Sequence, residues 1–264
     1  MKNNSLLERA KQLKLYGIIS HWEEIQEKDW LEIMIAWEEK ERNNRSFERR
    51  LNSSRIGRFK PLAHFDWDWP KRCDRDAIEE LMQLDFIKEA INIIFCGPNG
   101  VGKSTLAKNI TYQAAINGFT VLFTTAAQML HELTLQESDH ALHRRIKYYV
   151  QPQILAVDEV GYLSYSNRDA DLFFEIISRR YHNKPTIITT NKPFAEWNEI
   201  FPNASCVVSL IDRLIHHSEI ISIEGPSFRL KEATEQALQR KKDRAERKIQ
   251  KKIVKNTGEP HHEY

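Results

Sequence analysis

Apolar positions along this chain change their spacing twice, and each change predicts a different architecture. From Ser5 to Leu51 they recur every three or four residues, the period of amphipathic helices. Leu6, Ala10, Leu13, Ile18 or Ile19, Trp22 and Ile25 form the first series, with Gly17 as an interruption. Asp29, with Glu32 three places on, predicts a capping-box start for a second helix carrying Leu31, Ile33, Met34, Ile35 and Trp37. Residues 61–75 then mix aromatics with acids between prolines, which predicts a linker packed on its neighbour. A stacking platform for single-stranded bases is the sharper alternative, and the interleaved aspartates argue against it.

Beyond Arg75 short continuous apolar runs alternate with helical patterns. The runs are Ile93–Cys96, Thr120–Thr124, Ile154–Val157, Thr186–Thr190 and Ile220–Ile223. Helices are expected at Ala77–Leu84, Phe86–Ala90, Thr105–Ile116, Ala126–Leu135, His140–Val150, Arg168–Tyr181, Phe194–Glu199 and Cys206–His217. Alternation of this kind predicts an α/β domain: a parallel five-stranded sheet between helical layers, its site at the strand C-termini. Phe228–Leu230 is expected to end that domain. Glu232–Lys255 reads as a charged helix with little apolar stripe, and Asn256–Tyr264 as disordered. The expected organisation is a helical N-terminal domain (1–60), a linker (61–75), the α/β domain (76–231) and a basic tail (232–264).

The chemistry enters after the first strand. Gly97, Pro98, Asn99, Gly100, Val101, Gly102, Lys103, Ser104 and Thr105 spell Gly-x-x-x-x-Gly-Lys-Ser-Thr. The glycines let backbone N–H groups converge on an anion, and Lys103 brings a point charge to the β- and γ-phosphates. The Ser104 hydroxyl suits Mg²⁺, and the helix after it aims its positive end at the phosphates. This is the P-loop of a nucleotide-binding protein, with ATP and Mg²⁺ as the expected ligands. Asp158 ends an apolar strand 55 positions after Lys103 and is placed to serve the Mg²⁺ site, as a Walker B acid. Glu159, next to it, is expected to orient and deprotonate the attacking water. Asn191 follows Thr189-Thr190 at the end of the next strand, where it can contact that water or the γ-phosphate; a plain Asn-Lys-Pro turn is the alternative. One more cation at the γ-phosphate would complete the set. Arg213 is the first choice, reaching the nucleotide of a neighbouring subunit, with Arg179 and Arg180 second; Arg229 could touch phosphate from the domain's end.

Charge sharpens the picture. The net charge is only +2, but residues 42–60 carry seven Lys/Arg against one acid, and residues 240–255 nine against two. The remainder is therefore net −11. Arg42, Arg45, Arg49 and Arg50 share one broad helical face. The asymmetry predicts a polyanionic partner, nucleic acid, bound with little sequence preference, since no base-reading motif is present; double-stranded DNA is the partner expected once the family resemblance below is added. Solvated helix faces are the bland alternative. Cys73, Cys96 and Cys206 form no metal or disulfide pattern. The opening residues have no apolar h-region, and a cytoplasmic protein is expected.

Together these segments resemble the AAA+ ATPases, and within them the IstB-like transposition helpers and their relatives, the DnaC-type helicase loaders. The resemblance rests on Gly97–Ser104, Leu155–Leu163, Ile176–Asn191 and Ile211–Leu230. Asp212-Arg213-Leu214-Ile215-His216-His217 and Glu224-Gly225-Pro226-Ser227-Phe228-Arg229 resemble the IstB ending in particular. The likeness implies a P-loop AAA+ domain that binds ATP between subunits and assembles as a homo-oligomer on DNA for the transposase of an insertion element. It implies nucleotide and Mg²⁺ binding by Lys103, Ser104 and Asp158, water activation by Glu159, a first sensor at Asn191 and an arginine finger at Arg213. It also places Ala126–Leu135 and the basic helix after it where loaders and initiators carry a DNA-engaging helix. A replicative helicase loader and a nucleotide-switched DNA scaffold with slow hydrolysis are the competing functions. A small-molecule kinase would need an acceptor pocket and an Arg-rich lid, for which no insertion is present.

Overall fold

The computed structural model describes residues 2–202 and 205–256; the expected disorder of 256–264 lies, but for its first residue, outside them. The chain opens with α1 (Lys2–Gln12), α2 (Tyr16–Ser20), α3 (Trp22–Ile25) and α4 (Asp29–Ser53). They enclose a small core of Ala10, Leu13, Leu31 and Ile35, flanked by Leu6, Ile18 and Trp22. The first break falls at Lys14, which takes a left-handed φ of 53°, and Gly17 sits inside α2. The expected capping box is absent: Lys28 holds the N-cap position of α4 and no side chain caps it. Asp29 and Glu32 still lie in its first turn, where the helix dipole favours carboxylates. Arg9 grips Glu39 through two bonds of 2.8 and 2.7 Å, tying α1 to α4 and holding the Glu39 carboxyl below its ordinary range.

The C-terminal end of α4 is fastened to the α/β domain rather than standing apart from it. Arg50 donates to the Ala115 carbonyl at 3.1 Å, Arg55 pairs with Glu132 at 2.9 Å, and the Ser54 carbonyl accepts from Phe123 N at 2.7 Å. Nor is the expected arginine face wholly free. Arg42 pairs with Glu38 and Arg45 with Glu41 along the helix, while Arg49 donates to the Arg45 carbonyl.

After α5 (Arg75–Leu81), a 3-10 turn at Asp85–Ile87 replaces the short helix expected to Ala90. Then come β1 (Asn92–Cys96), α6 (Lys103–Ile116), β2 (Val121–Thr125), α7 (Ala126–Thr134), α8 (Asp139–Val150) and β3 (Ile154–Val160). They are succeeded by α9 (Asn167–Arg180), β4 (Thr186–Thr190), α10 (Trp197–Ile200), α11 (Val207–Ile215), β5 (Ser218–Ser222) and α12 (Phe228–Asn256). The expected tail helix thus begins four residues early, at Phe228, and absorbs the expected domain end. The five strands are all parallel, in the order β2-β3-β4-β1-β5. Strand residues alternate between two cores as the two-residue period demands. Ile94, Leu155, Val157 and Ile188 face α7, α8, α9 and α11. Ile93, Phe95, Ala156 and Ile187 face α5 and α6. The order sets β4 between the P-loop strand β1 and the acidic strand β3.

Arg180 is part of this frame. It is only 1% exposed and, among the described residues, has no carboxylate partner. Its guanidinium donates instead to the carbonyls of Val150, Pro152, Gln153 and Pro185 and to the Thr186 hydroxyl. Burial pushes its pKa down to about 9. Lys184 adds bonds to the Val150 and Gln151 carbonyls, so two cations fasten the negative C-terminal end of α8. Such burial removes Arg180 from any reach toward a neighbouring nucleotide. Arg180→Ala would orphan several buried carbonyls at about 1–3 kcal/mol each. A thermal melt should register at least about 3 kcal/mol of lost stability, a Tm lowered by roughly 6–12 °C.

Candidate nucleotide-binding site

The P-loop leaves β1 and turns into α6 under contacts that only glycine permits. Gly100 has φ 80°, and a Cβ there would lie 2.2 Å from the Ser227 hydroxyl oxygen. Gly102 has φ 110°, and its Cβ would lie 2.5 Å from the Phe65 ring. The linker and the entrance to α12 therefore press directly on the loop, and Phe228 N donates to the Gly100 carbonyl at 2.8 Å. Lys103, 8% exposed, folds back to donate to the Gly97 and Pro98 carbonyls at 2.7 Å each. Burial lowers its pKa; Asp158 opposes that shift and Arg229 adds to it.

Next to the lysine, three elements meet at one oxygen. Asp158 Oδ1 accepts from Ser104 Oγ at 2.8 Å and from Thr189 Oγ1. Asp158 itself is buried. Immediately after it the β3–β4 register slips between Val157 and Val160, and Glu159 takes a left-handed φ of 62°. A bulge of this kind re-aims a side chain. Its backbone N–H is held by Thr189 Oγ1 at 2.9 Å, and Glu159 lines the cavity, exposed. Asn191 lines the same wall.

The cavity has a volume of about 300 Å³. It brings together Asn99 through Thr105 with Glu159 and Asn191, whereas Gly97 and Pro98 act behind it through Lys103 and Asp158 acts through Ser104. Arg213 is not part of it. That side chain lies on α11 against α9, donating to Ser178 Oγ with its guanidinium 4.5 Å from the Phe174 ring centre. Arg229 does reach the cavity wall.

The linker is the part of the site that sequence reasoning missed. His64, Phe65, Asp66 and Trp69 line the cavity together with Phe228 and Glu232. They are locked in place by contacts between distant segments. Trp69 Nε1 donates to the Pro226 carbonyl at 2.9 Å, Lys231 lies 4.2 Å over the Trp69 ring and pairs with Asp66 at 3.1 Å, and Lys60 pairs with Glu232. The Lys231 ammonium holds the Asp66 carboxyl below its ordinary range. Arg72 and Glu224 add a two-way backbone bridge. Aromatic residues in 64–70 were the available signal, but nothing local linked them to the P-loop.

The donor set fits a nucleotide with Mg²⁺. Among the described residues no cluster of three His, Cys, Asp or Glu could hold a metal alone. Ser104 and Asp158 offer instead two hard oxygens at the phosphate end, the way Mg²⁺ is held jointly by protein and phosphate.

Residues 8–236 match the family described as IstB-like ATP binding protein. The chain belongs to that family. The chain is 35% identical over 192 residues to the insertion sequence IS5376 putative ATP-binding protein of Geobacillus stearothermophilus, covering 73% of this chain and 76% of that one. It is 34% identical over 209 residues to the insertion sequence IS21 putative ATP-binding protein of Pseudomonas aeruginosa, covering 79% of each. The crystal structure of DnaI superposes with a TM-score of 0.53 at 20% identity, covering 65% of this chain and 91% of that chain, a likeness of fold. The expected architecture, a P-loop α/β domain on a parallel five-stranded sheet with a helical N-terminal region, is the one observed. The family binds ATP. Removing the Trp69 ring should then weaken ATP binding, because stacking a base on an aromatic face is worth about 1–3 kcal/mol. Titration of Trp69→Ala with a fluorescent ATP analogue should read a dissociation constant raised about tenfold.

Proposed function

We propose that this protein is a Mg²⁺-dependent ATPase that assembles on double-stranded DNA as an ATP-bound homo-oligomer and serves the transposase of its insertion element. One observation carries the enzymatic half. The P-loop, the bulged Glu159 and Asn191 line one small cavity, at the ends of the adjacent strands β1, β3 and β4. ATP lies with its base toward Trp69 and Phe228 and its phosphates on the N–H groups of residues 99–104 and the Lys103 ammonium. Ser104 and Asp158 hold Mg²⁺, which supplies charge neutralisation on the phosphates. Glu159 accepts a proton from the water whose oxygen attacks the terminal phosphorus, and Asn191 orients that water. The bond to the leaving ADP oxygen breaks in line with the attack.

Arg213 supplies the remaining cation to the nucleotide of a neighbouring copy. Its place on α11, outside its own cavity, supports this reading. The insertion-sequence relatives support the client, and charge supports the DNA. His140, His143, Arg144 and Lys147 form an exposed stripe on α8 with no acidic partner among the described residues. Arg58, also exposed, adds a further cation. Contacts of this type go to phosphates and do not read bases.

Particle size and DNA association, measured with ATP, with ADP and without nucleotide, test the proposal. Large DNA-bound assemblies are expected with ATP alone, and Glu159→Gln should trap them while abolishing phosphate release. A particle indifferent to nucleotide and DNA would overturn the reading beyond ATP binding. For Arg144→Ala with Lys147→Ala, DNA binding should weaken about equally on all sequences, with a shallower salt dependence. An unchanged slope would remove α8 from the DNA contact.

A further inference from the structure

The first half of α4 carries an apolar stripe that nothing in its own chain covers among the described residues. Leu31 and Ile35 point into the small N-terminal core. Trp30, Ile33 and Trp37, on the opposite face at spacings of three and four, are 48%, 51% and 70% exposed. A helix that is apolar on both faces is one that packs on both faces. Two tryptophans standing free in water are the kind of anchor that dominates protein interfaces.

The charge around the stripe says what covers it. Residues 23–41 hold eight acids and two bases; Glu38, Glu39 and Glu41 pair with Arg42, Arg9 and Arg45, which leaves five carboxylates against Lys28 and Lys40. That surface repels nucleic acid, and it repels a second copy of itself. It suits a basic helix, whose cations can meet both the carboxylates and the indole faces. The chain owns such a helix. In α12 the first turn packs on the nucleotide cavity through Phe228, Arg229 and Glu232, and from residue 233 to 242 every side chain is exposed, Leu238 at 54%. Residues 240–255 carry nine Lys/Arg against two acids. An isolated helix of this length draws little stability from its own hydrogen bonds and gains it by packing. At 1.5 Å per residue its 29 residues reach about 43 Å, enough to span onto a neighbouring protomer.

We propose that α12 of one copy docks across the Trp30–Ile33–Trp37 stripe of a second copy. The exchange deepens the proposed assembly and rests on it for its nucleotide dependence alone. The root of α12 forms one wall of the ATP cavity, held by the Lys60–Glu232 and Asp66–Lys231 pairs. A nucleotide seated there fixes the direction in which the arm leaves. The basic tail, whose charge alone suggests a DNA arm, is then an arm for its own kind.

The test mixes two full-length chains, one carrying Trp37→Cys and the other Leu238→Cys, with a non-hydrolysable ATP analogue under mild oxidation. A disulfide-linked pair is expected in the mixture and neither chain alone should form it; raising salt should reduce the yield. A second chain ending at Gln239 should keep its ATP affinity and lose its ATP-dependent assembly. Three results would overturn the exchange. They are full assembly without the mixed disulfide, a Trp37→Cys homodimer as the main product, and a link formed only within one chain that bears both cysteines. A mixed disulfide formed equally without nucleotide would keep the exchange and remove its ATP control. Failure of the untouched chain to assemble with ATP would count against the proposed function instead.

Discussion

A single carboxylate oxygen, Asp158 Oδ1, holds the working end of this molecule together. Ser104 at the start of α6 and Thr189 near the end of β4 both donate to it. The bond set makes the P-loop, the acidic strand and the strand between them one rigid unit, which the order β3-β4-β1 brings side by side. Thr189 uses the same hydroxyl to accept from the Glu159 backbone. That bond steadies a residue whose left-handed backbone costs energy and would relax without it. Glu159 can therefore point into the cavity while Asp158 stays buried one residue away. Two adjacent acids thus meet two different surroundings, one buried and hydrogen-bonded, the other exposed at the cavity.

Around that unit the protein uses cations for two quite different purposes. Arg180 is buried among carbonyls and organises the α8–β3 and α9–β4 connections. Arg213 lies against Phe174 and Tyr181 on the surface of α9, held and yet accessible. The same residue type, a short distance apart on packed helices, serves as a rivet in one case and as a reagent in the proposed function. Exposure decides between them, and exposure is a property of the packing.

That contrast marks what the amino-acid pattern revealed. The P-loop, Asp158, Glu159 and the five strands were legible because their signals are local: a glycine spacing, an apolar run, a strand-end acid. The start of α4 was misjudged because Asp29 and Glu32 satisfy a spacing rule without making the bonds. Arg42 and Arg45 read as free charge, but each has a glutamate four residues earlier along the helix. The linker reads correctly as a packed segment, but its place at the nucleotide cavity was not legible. Its role depends on Pro226, Lys231 and Glu232, more than 150 residues away in sequence, and no local rule spans that distance.

The central claim is that the nucleotide site is completed by a neighbouring copy, and a mixing assay reaches it most directly. One chain carries Arg213→Ala, with an intact cavity and no finger. The other carries Glu159→Gln, with an intact finger and no base. Each alone should release almost no phosphate from ATP. Combined on DNA, they should regain hydrolysis in the mixed assemblies, since one supplies what the other lacks. Mixed assemblies that form and stay inactive would contradict the shared site and return Arg213 to the surface of its own α9.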